Sequence, residues 1–150
     1  MDKKNPIRRF KSFRWEETDV LAYKEEGSAP FKAITRQTLF RDPALKCELR
    51  YFEVSPGGCS TLERHEHMHA VLILRGRGEV LIGGEVRKID TNDLVTIEPR
   101  TWNQFRAAAD APLGFLCMVN AERDKPSLPT TEDRKVLEAN PEIAAFLKGD

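Results

Sequence analysis

Residues 64 to 78 read RHEHMHAVLILRGRG, and they hold all three histidines of a 150-residue chain within five positions, immediately before an apolar run that ends in two glycines. On an extended strand, residues two apart point to the same side, so Glu63, His65, His67 and His69 share one face. Three imidazoles on one face form a set suited to a metal ion. The same geometry sets a limit, because on a straight strand His65 and His69 stand roughly 13 Å apart, too far to share one ion through bonds of about 2 Å. Either two of them bind, or the chain bends between His67 and His69, where Met68-His69-Ala70 carries no Gly or Pro.

Around this stretch the chain reads as short strands divided by turn signals, with no helical period long enough for parallel crossovers. The expected fold is all-β, an antiparallel barrel or sandwich. CELRYFEVSP alternates as a strand and should stop at Pro56-Gly57-Gly58, while AVLILRG has the continuous apolar character of a strand buried on both faces. GEVLIGGEVRKI is a hairpin about Gly83-Gly84, which accept the positive φ of a primed turn. DLVTIEP and LGFLCMV follow, joined by an expected loop from Arg100 to Ala111 that would carry Arg100, Trp102 and Phe105 over the barrel mouth as a lid or as rim packing. In the tail, Thr130 with Asp133 forms a capping box for a helix to about Ala139, and Asn140-Pro141 starts a second. The expected division is an N-terminal extension over residues 1–29, a barrel over 30–122 and a helical tail over 123–150. Trp15 and Tyr23 in the extension should cover one sheet or meet a neighbouring chain.

Composition narrows the function. Lys plus Arg and Asp plus Glu both number 24, which gives no field for holding nucleic acid or an anionic membrane surface. Three cysteines at wide, irregular spacing fit neither a disulfide framework nor a metal knuckle, and point to reduced thiols in the cytoplasm. Cys117, inside GFLCMV, reads as a small core residue. Cys59 lies nearer the histidines in sequence and is a candidate pocket residue.

These residues carry a resemblance. The chain resembles the cupin family, whose first motif runs Gly, His-x-His, a few residues, Glu, then six residues and Gly. Gly58 and His65-Glu66-His67 match its start, Gly76 and Gly78 its close, and His69 falls in the register of its Glu. The linker is shorter than usual by a few residues, which implies the bend that the geometry requires. In the second motif, Asn92-Asp93 stand for Gly-Asp, and Asn tolerates the left-handed turn there. Counting on from Asp93, Asn103 occupies the place of a fourth ligand His, with Pro99 one place late and Gln104 as the other candidate. The chain is also similar to small single-domain bacterial cupins of the cupin-2 type that carry TWHQF at this point, with TRQ, RYFE, STLERHEH and NAERD as here.

The resemblance implies a jelly-roll barrel, a homodimer, and a divalent transition metal (Zn, Fe, Ni or Mn) held by His65, His67, His69 and Asn103. Glu63, Gln104, Trp102, Phe105 and Cys59 are the expected neighbours of the ion or the pocket, with Glu63 fixing an imidazole tautomer or acting as a ligand. An open metal position can bind dioxygen, polarise a carbonyl or activate water, so oxygenase, isomerase, lyase and hydrolytic chemistry on a small organic molecule all remain open. The alternative is a binding or sensing protein in which Asn103 marks a site without turnover.

Overall fold

The fold comes from a computed structural model, which describes residues 6–22, 32–122 and 125–148. Ten strands and two helices follow in order: β1 (Phe10–Lys11), β2 (Arg14–Trp15), β3 (Leu21–Ala22), β4 (Lys32–Asp42), β5 (Cys47–Cys59), β6 (His69–Ile82), β7 (Glu85–Asp90), β8 (Leu94–Ile97), β9 (Asn103–Ala107), β10 (Leu113–Asn120), α1 (Thr131–Glu138) and α2 (Pro141–Leu147). All pairings are antiparallel.

The sheet closes because β6 is long enough to serve two sets of neighbours. Its first part, His69–Leu72, pairs with β8, and Ala70–Gly76 pairs with β10. Its second part, from Arg77 and Gly78 onward, pairs with β7 and β9. β10 also pairs with β5, and β5 reaches β9 at Cys59↔Arg106, which completes the circuit β5–β10–β6–β9. Inside lies a core that includes Phe52, Val54, Val71, Ile73, Phe105, Leu113, Phe115 and Cys117. A second cluster, Leu62, Leu81, Leu137, Ile143, Phe146 and Leu147, buries the apolar side of the two helices against the outside of the barrel.

Local chemistry accounts for the punctuation. Gly83 and Gly84 form the β6–β7 turn, with Gly83 at φ +59. Asn92 takes φ +78, the left-handed conformation expected of it. Thr130 accepts from Asp133 N while the Asp133 carboxylate accepts from Thr130 N, and Asn140 caps Glu142 N ahead of Pro141. The Thr130 hydroxyl, and after it the Thr130 N–H, donate to Asp133 Oδ2 and hold its carboxyl below the usual carboxylate range.

Four expectations are corrected. β5 does not stop at Pro56 but continues to Cys59, because Gly57 at φ +72 donates its N–H to Ala108 O and the β4–β5 register shifts nearby, an irregularity that absorbs the missing proline donor. The AVLILRG part of β6 is buried on one face only, with Val71 and Ile73 inward and Leu72 37% exposed, and burial on both faces comes later in the strand, at Val80 in the core and Leu81 under the helices. The loop from Arg100 to Ala111 contains β9, hidden from a period-2 reading because its polar residues Asn103 and Gln104 are buried beside Phe105. The N-terminal stretch contributes β1, β2 and β3, which were not expected. Phe13 and Trp15 lie against the buried ring of Tyr51, with centroids 6.2 and 5.2 Å away, and Phe13 O accepts from Gln37 Nε2. Trp15 thus covers the outer side of β5, as one of its two expectations had it, while Tyr23 lies outside the described residues.

Candidate metal centre

The segment from Ser60 to Met68 joins β5 to β6 and carries the histidines across one end of the barrel. Two bridges clamp it: Glu63 pairs with Asn103, and Arg64 with Ser127. Arg100 N donates to His65 O at 2.6 Å. The backbone bends at Glu66 and His67, one step earlier than between His67 and His69, and His69 opens β6. The bend replaces an extended separation with contact. The three ring centroids stand 4.9 Å (His65–His67), 4.7 Å (His65–His69) and 4.8 Å (His67–His69) apart.

One nitrogen from each imidazole lies within 4.8 Å of the others, and His67 Nε2 is 3.1 Å from His69 Nε2. For bonds of about 2.1 Å, nitrogens on one metal stand about 3.0 Å apart at adjacent octahedral positions and about 3.4 Å apart in a tetrahedron. The His67–His69 spacing suits either geometry. His65 Nε2 meets Glu63 Oε1 at 3.0 Å, the pairing expected from their common parity. His65 Nδ1 and Glu63 Oε2 are buried without hydrogen-bond partners, two donor atoms that a cation would satisfy. Imidazole and carboxylate together suit a first-row divalent metal, so the residues present fit such an ion. Glu66, of opposite parity, points outward to an exposed ion pair with Arg100 at 3.2 Å.

The cavity beneath the histidines has about 50 Å³ open to the centres of water molecules, room for roughly three to five waters. His65, His69, Glu63, Asn103, Arg50 and Cys117 line it with Phe52, Phe105 and Phe115. Asn103 Nδ2 donates to Glu63 O and Thr101 O, both at 3.1 Å, which leaves its carbonyl oxygen as the group to offer a ligand. Gln104, 2% exposed, donates through Nε2 to Ser60 O at 2.8 Å and does not line the cavity.

Several residues stand elsewhere than expected. Phe105 lines the cavity, as the resemblance implied, but from β9 and not from a lid or rim. Trp102 packs on the cluster under the helices, with the Arg64 guanidinium 4.3 Å over its ring, away from the cavity lining. Cys59 is buried at the far end of β5 opposite Arg106, whereas Cys117, taken as core alone, lines the cavity as well. Sequence reasoning also passed over Arg50 and Glu48. Their signal was available: in CELRYFEV they share the face of Phe52 and Val54, so if those point inward the charges do too.

The Cupin domain family matches residues 50–119. The chain is 60% identical over 145 residues to a 1-methylthio-D-xylulose 5-phosphate methylsulfurylase of Rhodospirillum rubrum, covering 96% of this chain and 93% of that protein. The chain is a cupin. Solved cupin structures agree: a cupin-2 domain from Rhodospirillum rubrum is 58% identical with a TM-score of 0.86, covering 97% of this chain and 98% of its own. A cupin 2 conserved barrel domain protein from Rhodopseudomonas palustris is 50% identical with a TM-score of 0.87, covering 93% and 97%. This cupin is thus a small protein of the cupin-2 type with a histidine triad able to hold a metal. No helix among its described residues is long and apolar enough to cross a membrane.

Proposed function

We propose that this cupin is a metal-dependent enzyme acting on a small sulfur-bearing sugar phosphate, 1-methylthio-D-xylulose 5-phosphate or a close analogue, as the name of its 60% identical relative suggests. The observation that carries the reading is that the three-histidine cluster, through His65 and His69, shares the wall of one cavity with Cys117. His65, His67 and His69 would hold a Zn, Fe, Ni or Mn ion, with Asn103 Oδ1 or Glu63 beside them. Such an ion supplies Lewis acidity toward a carbonyl or hydroxyl oxygen of the substrate.

The chain's own residues do the rest. Glu63 orients the His65 ring through Nε2. Phe52, Phe105 and Phe115 make an apolar floor that keeps bulk water from the reacting carbon. Cys117 is the one thiol among the cavity-lining residues and can act as a proton donor, or as a nucleophile that takes the methylthio group as a mixed disulfide. In that case the carbon keeps the bonding pair and gains a proton, and an added small thiol then reduces the disulfide. The reading takes the protein as a single cytoplasmic domain, with residues 1–29 and 123–150 as extension and tail about a barrel at 30–122. It also takes it as a homodimer, for which the exposed Met68, Leu72, Leu94 and Met118 are the apolar candidates.

The test is to load the protein with each metal in turn and follow 1-methylthio-D-xylulose 5-phosphate by mass spectrometry, with and without a small thiol to keep Cys117 reduced. Metal-dependent loss of substrate supports the reading. Full metal loading with no turnover, accompanied by a ligand-induced rise in melting temperature, would favour a binding protein instead.

A further inference from the structure

Arg50 takes no part in the chemistry above, yet it stands where a cation is costly to keep. It leaves β5 on the face of Glu48, Phe52 and Val54, its side chain is 7% exposed, and it lines the same cavity as His65, His69 and Cys117. Cys117 is its registered partner on β10. A guanidinium holds five N–H donors and stays charged throughout the pH range of a folded protein, so burial without acceptors is strongly unfavourable.

The surroundings leave the Nε–H without an acceptor. Glu48 Oε1 is 3.6 Å from Arg50 Nε, beyond hydrogen-bond reach, and Glu48 Oε2 is 3.8 Å from Arg41 Nε. Arg50 Nε is buried with no hydrogen-bond partner. The guanidinium sits 5.0 Å over the Phe52 ring, a contact that fixes its plane but accepts no hydrogen bond. Arg41, Glu48 and Arg50 together carry two positive charges against one negative. Glu63, the carboxylate among the cavity-lining residues, is engaged at His65 through Oε1. A buried guanidinium with an unmet Nε–H in an apolar-floored cavity matches one ligand chemistry, an oxyanion.

We propose that Arg50 is the oxyanion-binding residue of the cavity, receiving the phosphate of the substrate through its guanidinium fork and making the site selective for anionic small molecules. Only the choice of phosphate as the oxyanion rests on the functional reading above. The unmet Nε–H stands without it.

The experiment is calorimetric titration with inorganic phosphate, and separately with acetate, at fixed ionic strength, on chelator-treated and metal-loaded protein. Wild type is compared with Arg50→Met, which keeps the stem and removes the charge, Arg50→Lys, which keeps the charge and loses the fork, and Arg87→Met, an exposed control paired with Glu85. Melting temperature and metal content report on fold and triad, and Arg50→Lys carries the comparison if Arg50→Met does not fold. The expectation is one phosphate per chain in both metal states, at least tenfold weaker in Arg50→Met, weakened in Arg50→Lys and unchanged in Arg87→Met. Phosphate bound equally well by Arg50→Met, bound only when the metal is present, or not bound by wild type would overturn the proposal. Acetate bound more tightly than phosphate, with the same loss in Arg50→Met, keeps the oxyanion site and removes the sugar phosphate. Turnover with an unchanged KM in Arg50→Met would remove the Arg50 proposal and leave the enzyme.

Discussion

His65 and Glu63 are joined at 3.0 Å, Nε2 to Oε1, while the second carboxylate oxygen of Glu63 is buried with no hydrogen-bond partner. A carboxylate that sets an imidazole's tautomer or shares its ion contributes typically 10–100-fold to metal affinity. Glu63→Gln is therefore expected to weaken metal binding by about that factor, measured by competition with a chromophoric chelator. His67→Ala, at a half-exposed position that tolerates truncation, should abolish stoichiometric uptake without unfolding the barrel. Metal retained at full occupancy by His67→Ala would sink the triad as the site.

Cys117 tests the chemistry apart from the metal. Cys117→Ser is expected to keep the bound ion and lower kcat by about 10²-fold or more, as loss of a nucleophile or proton donor does. Cys47→Ser, at a residue that does not line the cavity, should leave the rate near wild type. A Cys117→Ser enzyme of ordinary kcat assigns the thiol to packing alone.

Tyr51 governs behaviour in alkali. Its hydroxyl donates to Glu53 Oε2 at 3.0 Å, and Glu53 also meets Arg75 Nη1 at 2.8 Å. Burial first, then the Glu53 charge and hydrogen bond, push the phenol far above its ordinary 10.0. The folded phenol therefore keeps its proton where the unfolded one loses it. The stability this represents is complete below about pH 10 and falls as pH rises beyond that. Of the chain's two tyrosines, Tyr51 should ionise only together with unfolding, seen as a step in absorbance at 295 nm coincident with loss of β-sheet ellipticity. Tyr51→Phe should erase that step; free ionisation of both tyrosines in folded protein would contradict the account.

Gly76 fixes the close approach of β6 and β10. Its φ is +71, and a Cβ there would fall 1.8 Å from the carbonyl oxygen of Pro112. Since neither backbone can yield cheaply, Gly76→Ala should cost about 3 kcal/mol or more in urea unfolding. Gly84→Ala, where an added Cβ meets nothing within 4 Å, should cost far less.

The barrel and the triad were legible because they depend on short-range rules: the turn at Gly83-Gly84, the left-handed Asn92, and the alternation that puts Glu63 with His65. What stayed hidden depends on long-range pairing. NQFRA gives no sign of being β9 until Asn103 and Gln104 find backbone acceptors at Glu63, Thr101 and Ser60. Cys117 looks like any buried thiol until closure of the barrel brings it to the wall that His69 shares. Trp102 reads as lid or rim packing because nothing local shows that it packs with the cluster of the C-terminal helices.

The seam of the barrel is uneven, and that has a dynamic consequence. β5 meets β10 over Cys47–Val54, but among the described residues it meets β9 in register only at Cys59↔Arg106. Beyond that point the join is carried by Phe105 N to Ser60 Oγ, Gln104 Nε2 to Ser60 O, and the reciprocal backbone bonds of Glu63 and Asn103. This weakest edge of the circuit is also the segment that presents Glu63 and His65. Local opening should therefore begin there, and an ion that grips these side chains works as a clasp. The amides of Asn103 and Phe105 should exchange with deuterium faster than those of β10 in the chelator-treated protein, and slow selectively when the ion is restored.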